Sequence, residues 1–184
     1  ASRAHKLVQA FCARFGVAPP SPGAQHFVHD FGHVRLRWER HTEFCTCTFV
    51  ENGSEDGDPF GKPAVRHAPN DWLELLSGSV LAACHIAVER GEPLDFRDER
   101  LKRLFPAPPL VGSRISNGGE VWTDFQIGPD GYSRILLRDI GLQENQAGRM
   151  VQRLCELETY RIMALLALPV ARESTQALGA MEGE

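Results

Sequence analysis

The segment at residues 142–168 constrains the fold more than any other part of the chain, because it combines helical spacing of apolar residues with two misplaced charges. At about 3.6 residues per turn, its apolar side chains share one broad arc of a helix. Glu158 and Arg161 lie inside that arc, close enough to touch each other. The arc comprises Met150, Val151, Leu154, Leu157, Ala164, Leu165 and Leu168, whereas Arg149, Gln152, Arg153 and Glu156 lie opposite.

A charge placed in an apolar core costs several kcal/mol unless it is paired and hydrogen-bonded. We therefore expect Glu158 and Arg161 to contact each other, or charges on the predicted strands. Two interpretations follow: an ion-pair network that fixes how the helix docks on the sheet, or a polar pocket for a small anionic or zwitterionic ligand. The charged strand residues considered as partners are Arg37, Glu39, Asp124 and Arg134.

The rest of the chain alternates between helical patterns and strand patterns. Val34, Leu36 and Trp38 alternate with charged residues, which is typical of a strand with one buried face. Residues 117–119 (Asn-Gly-Gly) have the composition of a hairpin turn. We expect helices at 2–15, 71–76 (capped by Asp71), 95–105 and 142–168 (ended or kinked at Pro169), strands at 25–30, 34–39, 42–50, 79–88, 110–116, 120–127 and 132–139, and a loop at 51–70. A buried helix is the alternative interpretation of 79–88.

This order predicts a single α+β domain over 1–184. Its mainly antiparallel sheet would consist of two three-stranded meanders plus a central strand at 79–88, packed by the N-terminal and the long C-terminal helices. Each half holds one meander, and 42–44 (Thr-Glu-Phe) resembles 123–125 (Thr-Asp-Phe). A weak internal duplication, 1–78 and 79–184, is therefore one possibility.

Composition excludes several classes of protein. With 42% hydrophobic and 24% charged residues, the chain is typical of globular domains, and its net charge of -4 argues against a broad nucleic-acid-binding surface. Its longest apolar run is shorter than the roughly 20 residues that cross a bilayer. The five cysteines form no CxxC pair, so we expect reduced thiols and a cytoplasmic location.

Motifs for catalysis or metal binding are weak. His26, His29, His33 and His41 lie near Cys45 and Cys47, and such ligands would suit zinc, but no closed set of four emerges. There is no nucleophile elbow and no phosphate-binding glycine motif. We therefore predict that the chain binds no metal and no cofactor, and no residue is predicted to be catalytic.

Several motifs resemble the bacterial domain-of-unknown-function family 3422, usually described as a predicted membrane-anchored protein. They are 37–44 (RWERHTEF), 122–125 (WTDF), Asp130-Gly131 with Arg134, and the long run 148–169. The resemblance implies a soluble region on the cytoplasmic side of the bacterial inner membrane, followed by further helices and membrane-spanning segments that lie outside this chain. It implies no activity and no site residues.

Two functions are compatible with these observations. The first is a non-catalytic module that binds a protein partner or its own copies through the long helix and the 51–70 loop. The second is an enzyme or small-ligand sensor. An open cleft among the candidate residues would favour the second function, and a sealed, mutually paired network the first. The candidate ligand-binding residues are Arg37, Glu39, His41, Asp124, Arg134, Glu158 and Arg161.

Overall fold

The computed structural model describes residues 2–53, 57–115, 118–143 and 145–182, with side chains described as far as residue 175. The chain divides into two compact units, Ala1–Ser79 and Val80–Glu184. The class is α+β, as predicted, and the elements follow one another in the predicted order. The unit boundary lies one residue from the boundary of the proposed duplication, and the duplication itself stays a prediction.

The first unit holds a three-stranded antiparallel sheet in the order β1-β2-β3. The register pairs Trp38 of the middle strand with Phe27 and Cys47. Its elements are α1 (Arg3–Arg14), β1 (His26–Asp30), β2 (Arg35–Arg40), β3 (Cys45–Val50), a 3₁₀ helix (Ala64–His67) and α2 (Asn70–Glu74).

Aromatic side chains build the core of the first unit. Phe11 of α1 contacts Phe49 of β3 and the edge of Trp72 of α2. Trp72 Nε1 donates a hydrogen bond of 2.8 Å to the carbonyl of Leu7, so its one polar atom is satisfied inside the core. Leu36 completes this cluster from β2, as its predicted inward-facing position requires.

The second unit holds a four-stranded mixed sheet in the order β4-β7-β6-β5. The strands β5, β6 and β7 form the predicted antiparallel meander, and β4 pairs parallel to β7. Ser116, the predicted end of the strand 110–116, and Asn117, the first residue of the predicted turn, lie outside the described residues. Its elements are β4 (Cys84–Arg90), α3 (Glu99–Leu104), β5 (Val111–Ile115), β6 (Gly119–Thr123), β7 (Ser133–Asp139) and α4 (Gln146–Glu182).

The prediction of a central, doubly covered strand at 79–88 is wrong. The strand begins at Cys84 and lies at the edge of its sheet, and Val88 is 47% exposed. The apolar run misled the prediction because its first part, including Val80 and Leu81, precedes the strand and is exposed. The doubly covered position belongs to β7, in which Leu136 and Leu137 are both buried.

Two helix predictions also need correction. The helix α4 passes through Pro169 to Glu182; a proline removes one backbone hydrogen bond, and the neighbouring bonds suffice to carry the helix on. The helix α2 begins at Asn70, after Pro69, so Asp71 lies within its first turn rather than at the cap. There Asp71 forms an exposed ion pair with Arg14 of α1.

The predicted apolar arc of α4 is only partly its buried face. Leu154, Glu158 and Ile162 are buried, and this line of residues faces the sheet. Leu157 lies about 100° around the helix from Glu158 and is exposed, as are Leu165 and Leu168. The reason is that the sheet covers only one narrow side of α4 and ends before its second half.

Gly112 provides a test of the sheet packing in the second unit. A Cβ at this position of β5 would lie 2.4 Å from the indole ring of Trp122 on β6. Because that ring is buried, we expect Gly112→Ala to lower the free energy of unfolding by about 1–3 kcal/mol in urea titrations. In the control, Gly148→Ala in α4, the new Cβ meets nothing within 4 Å, and we expect a gain of up to about 1 kcal/mol. A neutral Gly112→Ala would contradict the packing.

Candidate functional site

The most polar part of the buried core in the second unit lies where β4 and β7 begin. Cys84 pairs in register with Ser133, so both side chains lie on the same face of the sheet. This is the face that α4 covers, because Ile135 and Leu137 of β7 pack there against Leu154. A polar hydroxyl and a thiol therefore meet α4 at the end of an otherwise apolar contact.

Glu158 is the side chain of α4 that meets this polar corner. It is 5% exposed, and Ser133 Oγ donates a 2.6 Å hydrogen bond to its Oε1 atom. Arg161 donates from Nε to Oε2 and from Nη2 to Oε1, both at 2.7 Å. The predicted contact between Glu158 and Arg161 is confirmed, and it is a bidentate ion pair.

The pKa of Glu158 shows that this pairing outweighs burial. Burial alone would raise the pKa of a carboxyl group, yet the hydrogen bonds from Arg161 and Ser133 hold it below its ordinary value. The same hydrogen bonds to Glu158 raise the pKa of Arg161. Both groups are therefore charged at neutral pH, and neither exchanges a proton there.

Arg161 also connects α4 to the segment that follows β6. Its guanidinium lies over the ring of Phe125, 5.3 Å from the centroid, a cation–π contact. Phe125 has a φ of 55°, which bulky residues rarely adopt. The preceding residue, Asp124, is buried and accepts a 3.0 Å hydrogen bond at Oδ1 from the amide of Gln126. Asp124 thus holds this turn in place.

Arg134 lies on the other face of the sheet, in a second polar cluster. Its guanidinium donates a 3.1 Å hydrogen bond to Asp130, and His85 Nε2 lies 3.9 Å from the same carboxylate. The ring of His85 stacks on Tyr132 at 4.0 Å between centroids. Burial lowers the pKa of His85, and Asp130 opposes this only in part, so His85 is neutral at pH 7. The contacts of Arg134 and His85 with Asp130 hold the turn at 128–131 in place.

The remaining candidate residues lie in the first unit. Arg37 donates a 2.8 Å hydrogen bond to Glu39 on the same face of β2, and His41 stacks on Phe44 in the turn that follows. Asp124, Arg134, Glu158 and Arg161 all belong to the second unit. Among the candidates, the structure pairs Arg37 with Glu39 and Glu158 with Arg161. The grouping of all seven into one site stays a prediction.

Sequence reasoning missed Glu120, which is 2% exposed on β6. Its carboxylate accepts hydrogen bonds from the amide of Leu94 at 2.9 Å, from Arg114 at 3.3 Å and from Trp122 at 3.4 Å. Glu120 directly follows the turn glycines, where an exposed charge is ordinary. The one available signal is its spacing of two from Trp122, which places both side chains on the same face of the strand.

A half-buried charge cluster, also missed, joins β4 to α3 and β7. Glu89 accepts two hydrogen bonds from Arg100, one of them at 2.7 Å, and one of 3.0 Å from Arg138. Burial alone would raise the pKa of Glu89, but the two arginines lower it. Arg138 also donates a 3.0 Å hydrogen bond to the carbonyl of Glu92, so the network joins β7 to the segment that follows β4.

The described parts of the chain contain no group of three or more His, Cys, Asp or Glu side chains arranged to hold a metal ion. His33 instead packs against His67. Burial raises the pKa of the Cys47 thiol to about 12, and thiols bind metals as thiolates. Cys47 is therefore a core side chain of β3.

A family model described as "Protein of unknown function (DUF3422)" matches residues 1–184, the whole chain. The chain belongs to the DUF3422 family. No curated protein and no solved structure matches it. The resemblance seen in the sequence is thus confirmed, whereas the membrane anchor that it implies is not tested by the match. Among the described residues of this DUF3422 member, no helix is both long enough and apolar enough to span a bilayer.

Removing Arg161 should strongly destabilise this DUF3422 chain. Its loss would leave the buried carboxylate of Glu158 with Ser133 as its one remaining described partner, so we expect Arg161→Ala to lower the free energy of unfolding by about 2–4 kcal/mol. The control is Arg35→Ala, because Arg35 and Asp30 form an exposed pair at 3.2 Å and such pairs contribute at most about 1 kcal/mol. Equal effects in urea unfolding would contradict the buried pair.

The lowered pKa of Glu158 predicts a pH dependence. Because the folded-state pKa lies below the ordinary value of 4.5, ionised Glu158 stabilises the fold above that pH, and the contribution disappears as pH falls through the folded-state pKa. We therefore expect the destabilisation by Glu158→Gln, measured in urea, to shrink between pH 6 and pH 3. The control is Glu156→Gln, at an exposed position of α4, for which we expect a change of at most about 1 kcal/mol in the free energy of unfolding. A constant difference for Glu158→Gln would contradict the assignment.

Proposed function

We propose that this chain is a non-catalytic association module, in which the exposed apolar part of α4 binds the same helix of a second copy. The single observation that carries this proposal is the exposure of large apolar side chains along α4. Exposed apolar patches on soluble domains mark interaction sites. Six such side chains of α4 are between 40% and 65% exposed: Leu157, Tyr160, Leu165, Leu166, Leu168 and Val170.

The part of α4 from 162 to 171 is apolar on all sides rather than on one stripe. From 162 to 171 it contains no charged residue, and residues 164–175 are all exposed. A helix that is apolar all round is normally covered by neighbours. The structure of one copy therefore leaves this segment without the contacts that its composition requires.

The absence of charge between residues 162 and 171 favours a second copy as the occupant. An unrelated partner would have to supply an equally apolar, uncharged helix or groove, whereas another copy brings the matching surface with it. Small residues assist the pairing: Ala164, Ala167 and Ala171 recur at spacings of three and four, which places them on one side of the helix and lets two backbones approach closely. The larger apolar residues flank this line.

The area of the exposed apolar surface sets the expected affinity of the association. The stretch from Leu157 to Ala171 is about 21 Å long, and one side of such a helix offers less than the roughly 800 Å² per partner of a standard complex. We therefore expect a concentration-dependent dimer with a micromolar dissociation constant rather than a permanent one.

The state of the candidate polar residues supports a non-catalytic role over an enzyme or a ligand sensor. Glu158 forms an ion pair with Arg161, Arg134 with Asp130, and Arg37 with Glu39. Catalytic groups need an accessible reacting atom and a pKa near the working pH, and the charged pair of Glu158 and Arg161 offers neither.

We place the module on the cytoplasmic side of a bacterial inner membrane, as part of a longer membrane-anchored protein. This part of the proposal rests on the family resemblance alone. Self-association near a membrane would be favoured further, because anchoring raises the local concentration of the copies.

Analytical ultracentrifugation over a wide range of concentration tests the association. We expect a reversible dimer, and we expect Leu165→Glu to weaken it at least about tenfold, because the contact would then bury an unpaired charge. The matched control is Leu81→Glu, since Leu81 and Leu165 are both 50% exposed and Leu81 lies outside α4. Leu81→Glu should dimerise like the parent.

Three outcomes would overturn self-association through α4. They are a monomer at every concentration, a dimer that Leu165→Glu leaves intact, or a dimer that Leu81→Glu weakens equally. A monomer that binds to lipid vesicles, and loses that binding in Leu165→Glu, would assign the exposed apolar part of α4 to a membrane surface instead.

A further inference from the structure

A groove on the second unit lies beside the first turns of α4. Its volume is about 170 Å³, enough for roughly half a dozen water-sized groups. One face of α4 forms a wall, because the four α4 residues that line the groove follow the helical spacing i, i+3, i+4 and i+7. The lining residues are Ile115, Leu142, Gln146, Arg149, Met150 and Arg153.

The chemistry of the lining is divided in two. Leu142 is buried and Ile115 and Met150 are half-buried, so they give the groove an apolar floor. Arg149 and Arg153 are exposed and lie one helical turn apart on the same side of α4. Among the described residues, the lining contains no acidic side chain.

The two arginines differ from most of their counterparts in this unit. Arg100, Arg134, Arg138 and Arg161 each form an ion pair with a carboxylate. Neither Arg149 nor Arg153 makes a side-chain hydrogen bond or ion pair with any described residue. Two guanidinium groups on one side of a helix can bind a single carboxylate or phosphate group together.

The position of the groove on α4 strengthens its preference for anions. The groove starts at Gln146, the first residue of α4. The N-terminal end of a helix carries a partial positive charge that falls off within the first turn, so it adds to the field of Arg149. The first turns of α4 bring this charge, the two arginines and Met150 together, and Leu142 and Ile115 complete the apolar floor.

We infer that this groove is a binding site for a small organic anion with a short apolar tail, such as a short-chain carboxylate. The carboxylate would lie between Arg149 and Arg153, and the tail would cover Met150 and Leu142. A bare inorganic anion would use the arginines and leave the floor empty. The site is separate from the exposed second half of α4, so the inference does not depend on the proposed self-association.

Two-dimensional NMR titration of the intact chain tests the site, with hexanoate as the probe and hexanol and inorganic phosphate as comparisons. We expect saturable shifts with hexanoate at millimolar concentration, centred on residues 146–153 and 115. Binding should weaken about tenfold in Arg149→Gln/Arg153→Gln, because a charge-assisted contact is lost. The control Arg172→Gln, an exposed arginine of α4 away from the groove, should bind like the parent.

The comparisons separate the parts of the inference. Weaker binding of both hexanol and phosphate than of hexanoate would support the combined site. Absence of saturation by hexanoate, or shifts outside the groove, would overturn it. If phosphate binds as tightly as hexanoate, the apolar floor does not contribute to binding. If hexanol binds as tightly as hexanoate, the arginines do not contribute. If Arg172→Gln weakens binding as much as Arg149→Gln/Arg153→Gln, the effect is one of net charge and the site is wrong.

Discussion

The second unit depends on one constraint: a carboxylate in the buried face of α4 must find its hydrogen-bond donors. Glu158 finds them in Ser133 of the sheet and Arg161 of its own helix. An apolar contact alone would tolerate small rotations of α4, since hydrophobic attraction has no direction. A buried carboxylate does not, because a rotation that broke the hydrogen bond from Ser133 would take away the one donor that the sheet supplies to this charge. The bond from Arg161 lies within α4 and moves with it, so the hydrogen bond between Ser133 and Glu158 sets the rotation of α4 on the sheet.

That rotation decides which residues of α4 face outward. With Leu154, Glu158 and Ile162 against the sheet, Leu157 and Tyr160 are left exposed, and past Ile162 the sheet ends and every side is exposed. The same rotation brings Arg149 and Arg153 to the groove beside Ile115. The proposed self-association surface and the proposed anion site are thus two consequences of one docking geometry.

Local patterns in the sequence predicted most of the fold, because they act over a few residues. Alternation identified Val34, Leu36 and Trp38 as inward-facing, and all three are buried. The spacing of Glu158 and Arg161 predicted their contact, since neighbours on a helix depend on geometry alone. These predictions needed no knowledge of what lies across the core.

Features that depend on distant parts of the chain could not be predicted from local sequence patterns. Periodicity gave the width of the apolar arc of α4 but not where the sheet would end, so Leu165 and Leu168 were placed in the core. Strand order depends on pairing between distant segments, which explains the error for 79–88. Glu120 resembles a turn residue because it follows the turn glycines. Its burial was missed because its hydrogen-bond donors include Leu94, 26 residues away. Of the candidate site, the helix pair was predictable and its Ser133 partner was not.

Hydrogen exchange of the intact chain, followed by mass spectrometry at low and high protein concentration, tests this account most directly. The account predicts slow exchange over 150–162 at both concentrations, because Glu158 and Leu154 hold these turns on the sheet and they open only with the fold. It predicts fast exchange over 164–171 in dilute protein and slower exchange in concentrated protein. Equally fast exchange of both segments in dilute protein would contradict the claim that the contacts of Glu158 and Leu154 hold α4 on the sheet.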